Sequence, residues 1–215
     1  MNHDLFADEV PCWEETLCPG ALVLRGQALP QVESLLAAVE TVVAAAPWRH
    51  LITPGGYRMS VAMSNCGLYG WVSDETGYRY DAQDPLSGRR WPAMPEVFRQ
   101  LAREAAERAG FKGFEPDACL INRYEVGARL SLHQDKDERD YGAPIVSVSL
   151  GLPAVFLFGG LRRSDPQQRV ALAHGDVVVW GGPARLRYHG VLALKAGTHP
   201  LLGAQRINLT FRKAR

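Results

Sequence analysis

Ile145-Val-Ser-Val-Ser-Leu150, Ala154-Val-Phe-Leu-Phe158, Arg169-Val-Ala-Leu172 and Asp176-Val-Val-Val-Trp180 are short runs rich in β-branched and aromatic residues, parted by turns that carry Gly or Pro. Runs of the same texture lie at 118–124, 129–133, 185–192 and 205–212. Eight such runs in roughly a hundred residues, with no helical periodicity among them, predict an antiparallel sandwich or jelly roll.

Upstream of residue 116 the texture differs. Gln31 to Ala46 carries Leu, Ala and Val at helical spacing just after Pro30. Pro95 to Ala109 also reads as a helix, with an apolar stripe of Val97, Leu101 and Ala105 and a stop at Gly110. Residues 53–92 between them are dense in Gly, Pro, Tyr and Trp, which suits a hairpin-rich, adaptable segment better than a core. The expected plan is an irregular leader over 1–19, an α/β cap over 20–115 and a β core over 116–215. The fold class is mainly β with flanking helices.

Composition narrows the function. The 215 residues set 24 Lys and Arg against 23 Asp and Glu, for a net charge of +1, and 47% are hydrophobic. That apolar share excludes a disordered chain, and the charge excludes a polycation that grips nucleic acid by bulk attraction. Of the cations, 20 are Arg and 4 are Lys. Codon usage accounts for such a bias, and so does a need for forked contacts to carboxylates or phosphates. Cys12, Cys18, Cys66 and Cys119 form no Cys-x-x-Cys pair, which speaks against a zinc ribbon and a thioredoxin-type site, and so few cysteines in a chain this long speak against a disulfide framework. The acidic first residues do not resemble a signal peptide, and the most apolar window, Val146 to Leu161, is too short and broken to span a bilayer. The sequence reads as cytoplasmic, with no membrane contact and a monomer as the simplest state.

The chemistry gathers in three places. In Arg129-Leu-Ser-Leu-His133-Gln-Asp135, period-2 geometry puts His133 and Asp135 on one face of a strand, where they can share a metal. A second His-x-Asp, His174-Gly-Asp176, reads instead as a turn that opens an apolar strand. His189, 54 residues after Asp135, completes two His and one carboxylate, the facial arrangement of non-haem Fe(II) oxygenases. From spacing alone, His189 reads equally as a satisfied core histidine. His3, His50 and His199 lack comparable neighbours and read as surface residues. In Arg206-Ile-Asn208-Leu-Thr210-Phe-Arg212, the residues Arg206, Asn208, Thr210 and Arg212 share one face. Two guanidinium groups on an inward face are costly unless they hold an anion such as a dicarboxylate; an edge strand with a solvated face is the alternative. Asn122 and Tyr124 share a face of the 118–124 run.

These elements in this order, with Thr53-Pro-Gly-Gly-Tyr-Arg-Met-Ser-Val-Ala-Met-Ser-Asn-Cys66 and Trp91-Pro-Ala-Met-Pro95, resemble the AlkB family of Fe(II)- and 2-oxoglutarate-dependent dioxygenases over nearly the whole chain. The resemblance implies a double-stranded β-helix (jelly-roll) core with an N-terminal α/β nucleotide-recognition lid. It implies Fe(II) on His133, Asp135 and His189, with 2-oxoglutarate and O2 as cosubstrates. Arg206 and Arg212 are then expected to clamp the cosubstrate carboxylates, assisted by Asn122, Tyr124 and Asn208, since Arg pairs bidentately with carboxylate. The implied reaction is oxidative demethylation of 1-methyladenine- and 3-methylcytosine-type bases in DNA, with RNA as a further substrate, releasing formaldehyde and succinate. Such a base is cationic and cannot pair normally, so it costs less to extrude. By the same resemblance Trp71 stacks on the base opposite the His133 ring. Tyr78 and Tyr80 contact base and backbone from the lid, Asp137 receives the exocyclic amine, and Arg163 contacts the substrate. Among the other cations between Gly160 and Gly190, namely Arg162, Arg169, Arg185 and Arg187, some are expected to reach phosphates. The rival readings are a hydroxylase of a small molecule or protein, a non-catalytic binding module, and a zinc hydrolase, which lacks its His-Glu-x-x-His helix.

Overall fold

The computed structural model describes residues 13–215. Its centre is a seven-stranded antiparallel sheet. In chain order its strands are β1 (Glu14–Cys18), β2 (Ala21–Leu24), β3 (Ala62–Gly67), β6 (Ala118–Glu125), β8 (Ile145–Gly151), β11 (Val177–Trp180) and β13 (Gln205–Arg212). They are arranged β1-β2-β11-β8-β13-β6-β3. A four-stranded sheet, ordered β10-β9-β12-β7, is made of β7 (Leu130–His133), β9 (Ala154–Phe158), β10 (Gln168–Leu172) and β12 (His189–Val191). A separate hairpin pairs β4 (Gly70–Asp74) with β5 (Gly77–Asp81).

Both faces of the large sheet are buried, for different reasons. Helices α1 (Val32–Ala45) and α2 (Glu96–Arg108) lie on one face. Their Leu35, Val39, Phe98, Leu101 and Ala105 pack with Val146, Val148, Ile207, Leu209 and Phe211. Phe98 meets Phe211 edge-on at 5.9 Å between ring centroids. The opposite face meets the smaller sheet through Tyr124, Ile145, Val178 and Trp180 against Phe156, Phe158, Leu172 and Val191. The polar residues of β13 therefore open into the space between the two sheets.

The eight expected runs all carry strands, with one contraction. In the run 185–192 only His189–Val191 is strand; a short 3-10 turn at Gly182–Ala184 and the bends after it precede it. The helices fall one residue inside each expected end. Within the span 1–19 expected as an irregular leader, the described residues Glu14–Cys18 form β1 and pair with β2. Residues 53–92 are also less peripheral than their composition suggests. Ala62 to Cys66 are all buried, and β3 pairs along β6 at the edge of the large sheet. Strands from both sides of residue 116 thus share one sheet. No described helix is long and apolar enough to cross a membrane.

Candidate metal centre

The register of the small sheet builds the centre. His133 ends β7, His189 opens β12, and the two are direct antiparallel partners. Gly190 allows the strands to meet closely: a Cβ there would lie 2.7 Å from the Leu130 carbonyl oxygen. Asp135 lies beyond the end of β7, so strand alternation does not place it. The last strand and a buried arginine do. Arg212 donates Nε to Asp135 Oδ2 at 2.8 Å, and its Nη2 lies 2.7 Å from the same oxygen. Arg185 donates Nη1 to the Asp135 backbone carbonyl at 2.7 Å. His133, Asp135 and His189 thereby offer ligand atoms within 4.8 Å of one another.

The donor chemistry suits a metal. Nδ1 of His133 lies 2.8 Å from the Ser131 carbonyl oxygen, and Nδ1 of His189 lies 3.0 Å from that of Arg187. A carbonyl only accepts, so each Nδ1 carries the proton and each Nε2 presents its lone pair to the cluster. Those Nε2 atoms stand 3.6 and 3.8 Å from the Asp135 oxygens. Burial, reinforced by the charge of His133, pushes His189 down to about 3, so it is a neutral ligand at ordinary pH. Burial opposes ionisation of Asp135, but Arg212 and the two imidazoles outweigh it and hold the carboxyl far below its usual range. Trp180 and Phe156 wall in the His189 ring at 4.9 and 6.0 Å. Two imidazoles and one carboxylate with open positions fit non-haem Fe(II).

Next to this triad lies the polar face of β13. It sits between β6 and β8, so the solvated edge strand is excluded. Arg206 faces Tyr124, and Asn208 faces Asn122 and Ser149. Thr210 Oγ1 donates to Asn208 Oδ1 at 2.9 Å, and Asn208 Nδ2 donates to Ser147 Oγ and to the Val148 carbonyl, each at 2.8 Å. The two arginines differ. Arg212 is committed to Asp135 and lies 3.4 Å from Glu138. Arg206 is 1% exposed, its guanidinium carbon is 5.0 Å from the Tyr124 ring centroid, and its Nη2 donates to Ser149 Oγ at 2.9 Å. Its Nε and Nη1, and Asn122 Oδ1, have no hydrogen-bond partner. The two Arg206 donors fit an anion, whereas Asn122 Oδ1 can only accept, and burial with no carboxylate beside it lowers the Arg206 pKa.

The substrate candidates separate. Trp71 on β4 stacks on Tyr78 of β5, with centroids 5.5 Å apart and planes 13° from parallel, and its Nε1 donates to Asp137 Oδ2 at 2.8 Å. Tyr78 is about half exposed, as a contact residue must be. Tyr80 departs from the expected lid contact: it is buried and its hydroxyl donates to Glu138 Oε1 at 2.7 Å, because β5 turns its inner face onto the 135–138 loop. Arg162, Arg163 and Arg169 are exposed, and the Arg163 guanidinium lies 5.9 Å from the Tyr188 ring centroid. Arg185 and Arg187 are spent inside the fold, Arg187 donating Nε to the Gly159 carbonyl at 2.6 Å. The His174 turn is structural, with Asp176 taking the backbone N–H of Gly26 and Ala173. His199 is not isolated; its ring lies 4.3 Å from that of His174. His50 is half-buried with Nδ1 2.8 Å from the Met59 carbonyl oxygen. His3 and Cys12 lie outside the described residues. The sequence pattern does not single out Glu138, Ser147 or Ser149. The alternation of those serines inside an apolar run was the available signal.

Known proteins bear on this geometry. A model of the 2OG-Fe(II) oxygenase superfamily matches residues 20–212. The alpha-ketoglutarate-dependent dioxygenase AlkB of Salmonella typhimurium is 61% identical over 98% of this chain and 97% of its own length. The mouse nucleic acid dioxygenase ALKBH1 is 32% identical over 56% of this chain and 31% of its own length. The solved structure of OsALKBH1 superposes with a TM-score of 0.81 at 30% identity, covering 94% of this chain and all of that one.

Proposed function

Because the chain belongs to the 2OG-Fe(II) oxygenase superfamily, we propose that His133, Asp135 and His189 hold Fe(II) and that the polar face of β13 takes the cosubstrate. The protein is an Fe(II)- and 2-oxoglutarate-dependent dioxygenase that demethylates alkylated nucleic acids oxidatively. Bound Fe(II) would supply the oxidation, one atom of O2 entering 2-oxoglutarate, which leaves as succinate and CO2, and the other entering the N-methyl group, which leaves as formaldehyde.

The residues around that chemistry position and protect it. Arg206 offers Nε and Nη1 to the far carboxylate of 2-oxoglutarate, with Tyr124 beside it. Asn122, Asn208 and Arg212 complete the contacts, and Arg212 holds Asp135 Oδ2 so that Oδ1 stays free for the metal. Trp71 and Tyr78 give the base its π surface. Asp137 keeps one oxygen on the Trp71 indole N–H and turns its charge to a cationic base of the 1-methyladenine or 3-methylcytosine type. Arg163 reaches the substrate backbone from the surface. The single observation that carries this reading is the His-Asp-His cluster at one end of a polar strand face that also carries a buried arginine with two unpartnered donors.

The test is an assay of purified protein with 1-methyladenine and 3-methylcytosine oligonucleotides, DNA and RNA in parallel. Succinate and formaldehyde form only when Fe(II), 2-oxoglutarate and a methylated strand are all present, and Asp135→Ala abolishes both while its circular dichroism stays native. Failure of the loaded wild-type protein on every methylated strand refutes the substrate class.

A further inference from the structure

Glu138 is a carboxylate whose side chain is 2% exposed, and its partners lead to three segments of the site. Oε1 accepts the Tyr80 hydroxyl at 2.7 Å and lies 3.4 Å from Arg212 Nε. Oε2 lies 3.1 Å from Arg185 Nη2. Through Tyr80 it reaches strand β5 of the lid hairpin. Through Arg212 it reaches Asp135 Oδ2, and through Arg185 the Asp135 backbone carbonyl and the turn four residues before His189. Two guanidinium groups and two carboxylates close this network among themselves, which is what makes four buried charges tolerable. Loss of the Glu138 charge leaves Arg185 without a carboxylate partner among the described residues and leaves Asp135 as the one carboxylate beside Arg212 Nε.

We propose that Glu138 is a positioning residue that ties the lid hairpin to the metal carboxylate, so that base recognition and metal binding share one buried anchor. The inference rests on Asp135 being a metal ligand. Outer partners of this kind typically set metal affinity by 10-fold or more. The same carboxylate fixes how β5 sits, and with it Tyr78, which stacks on Trp71.

The experiment uses the full chain with Mn(II), a redox-quiet probe, titrated by electron paramagnetic resonance. A 1-methyladenine oligonucleotide is titrated separately by fluorescence anisotropy without turnover. Glu138→Gln is expected to weaken Mn(II) binding about 10-fold and to weaken oligonucleotide binding with it. Tyr80→Phe cuts only the lid side of the network and touches no metal ligand. It is expected to weaken both affinities about 3-fold with cooperative unfolding retained, and it decides the matter if Glu138→Gln does not fold. A folded variant that moves one affinity and leaves the other at the wild-type value overturns the anchor, as do unchanged affinities in both. If wild-type protein itself fails to bind Mn(II), the metal assignment falls and the inference with it.

Discussion

Replacing Arg206 by Met should make the ligand-free protein more stable and nearly abolish 2-oxoglutarate binding. Arg206 is 1% exposed, and its charge is met by Ser149 Oγ and by Tyr124 with no carboxylate beside it, Nε and Nη1 being unpartnered. A buried charge held this loosely costs more than an apolar side chain of similar volume, commonly by about 1–4 kcal/mol. Part of that gain is offset by the Tyr124 contact, worth roughly 2 kcal/mol when desolvated. A net gain of about 1 kcal/mol raises the melting temperature by about 2–4 °C in a chain of this size. Binding moves the other way. Two charge-assisted hydrogen bonds to a carboxylate are worth about 1.5–3 kcal/mol each, so their loss weakens 2-oxoglutarate by roughly 10²- to 10⁴-fold. Differential scanning calorimetry with and without 2-oxoglutarate reads both quantities, since a ligand that binds only the folded state raises its midpoint with concentration. A variant that melts below wild type and still shows the wild-type midpoint rise with 2-oxoglutarate refutes the reasoning.

Two further outcomes follow from named contacts. Asp137→Ala should lower kcat/KM on cationic 1-methyladenine by about 10-fold more than on a neutral adduct, since a bond to an ionised partner is roughly twice as strong as a neutral one; equal losses in a steady-state assay remove the electrostatic role. Asp84 is held down at about 2; its burial opposes this, but its bonds to Arg49, Ser87 and the Leu86 N–H prevail. Its folded value lies below its unfolded one, so its contribution is present above about pH 4 and disappears as pH falls through about 2. Asp84→Asn should flatten the acid limb of a stability–pH curve in that window and leave the slope near pH 6 unchanged.

Much of the site is legible in the sequence. The alternation in Arg206 to Arg212 separates an apolar face from a polar one, and the fold buries both because β13 is a central strand. His133 and His189 were identifiable by type and order, and the register of β7 against β12 makes them neighbours. The Arg-for-Lys bias acquires a local meaning at Arg206 and Arg212, where a planar fork in a dry site does what an ammonium group does not.

Local pattern determined the eight strands after residue 116, the two helices and the chemical types in the site, because side-chain period and turn chemistry are properties of consecutive residues. Only the tertiary structure decided which partners the charges chose. Asp135 lies off the end of its strand and is placed by Arg212 and Arg185, the latter 50 residues away. Tyr80 leaves the substrate face for Glu138, and Arg212 is bound while Arg206 keeps free donors. Ion pairs and orphaned donors depend on distance and burial in three dimensions, and sequence spacing carries neither.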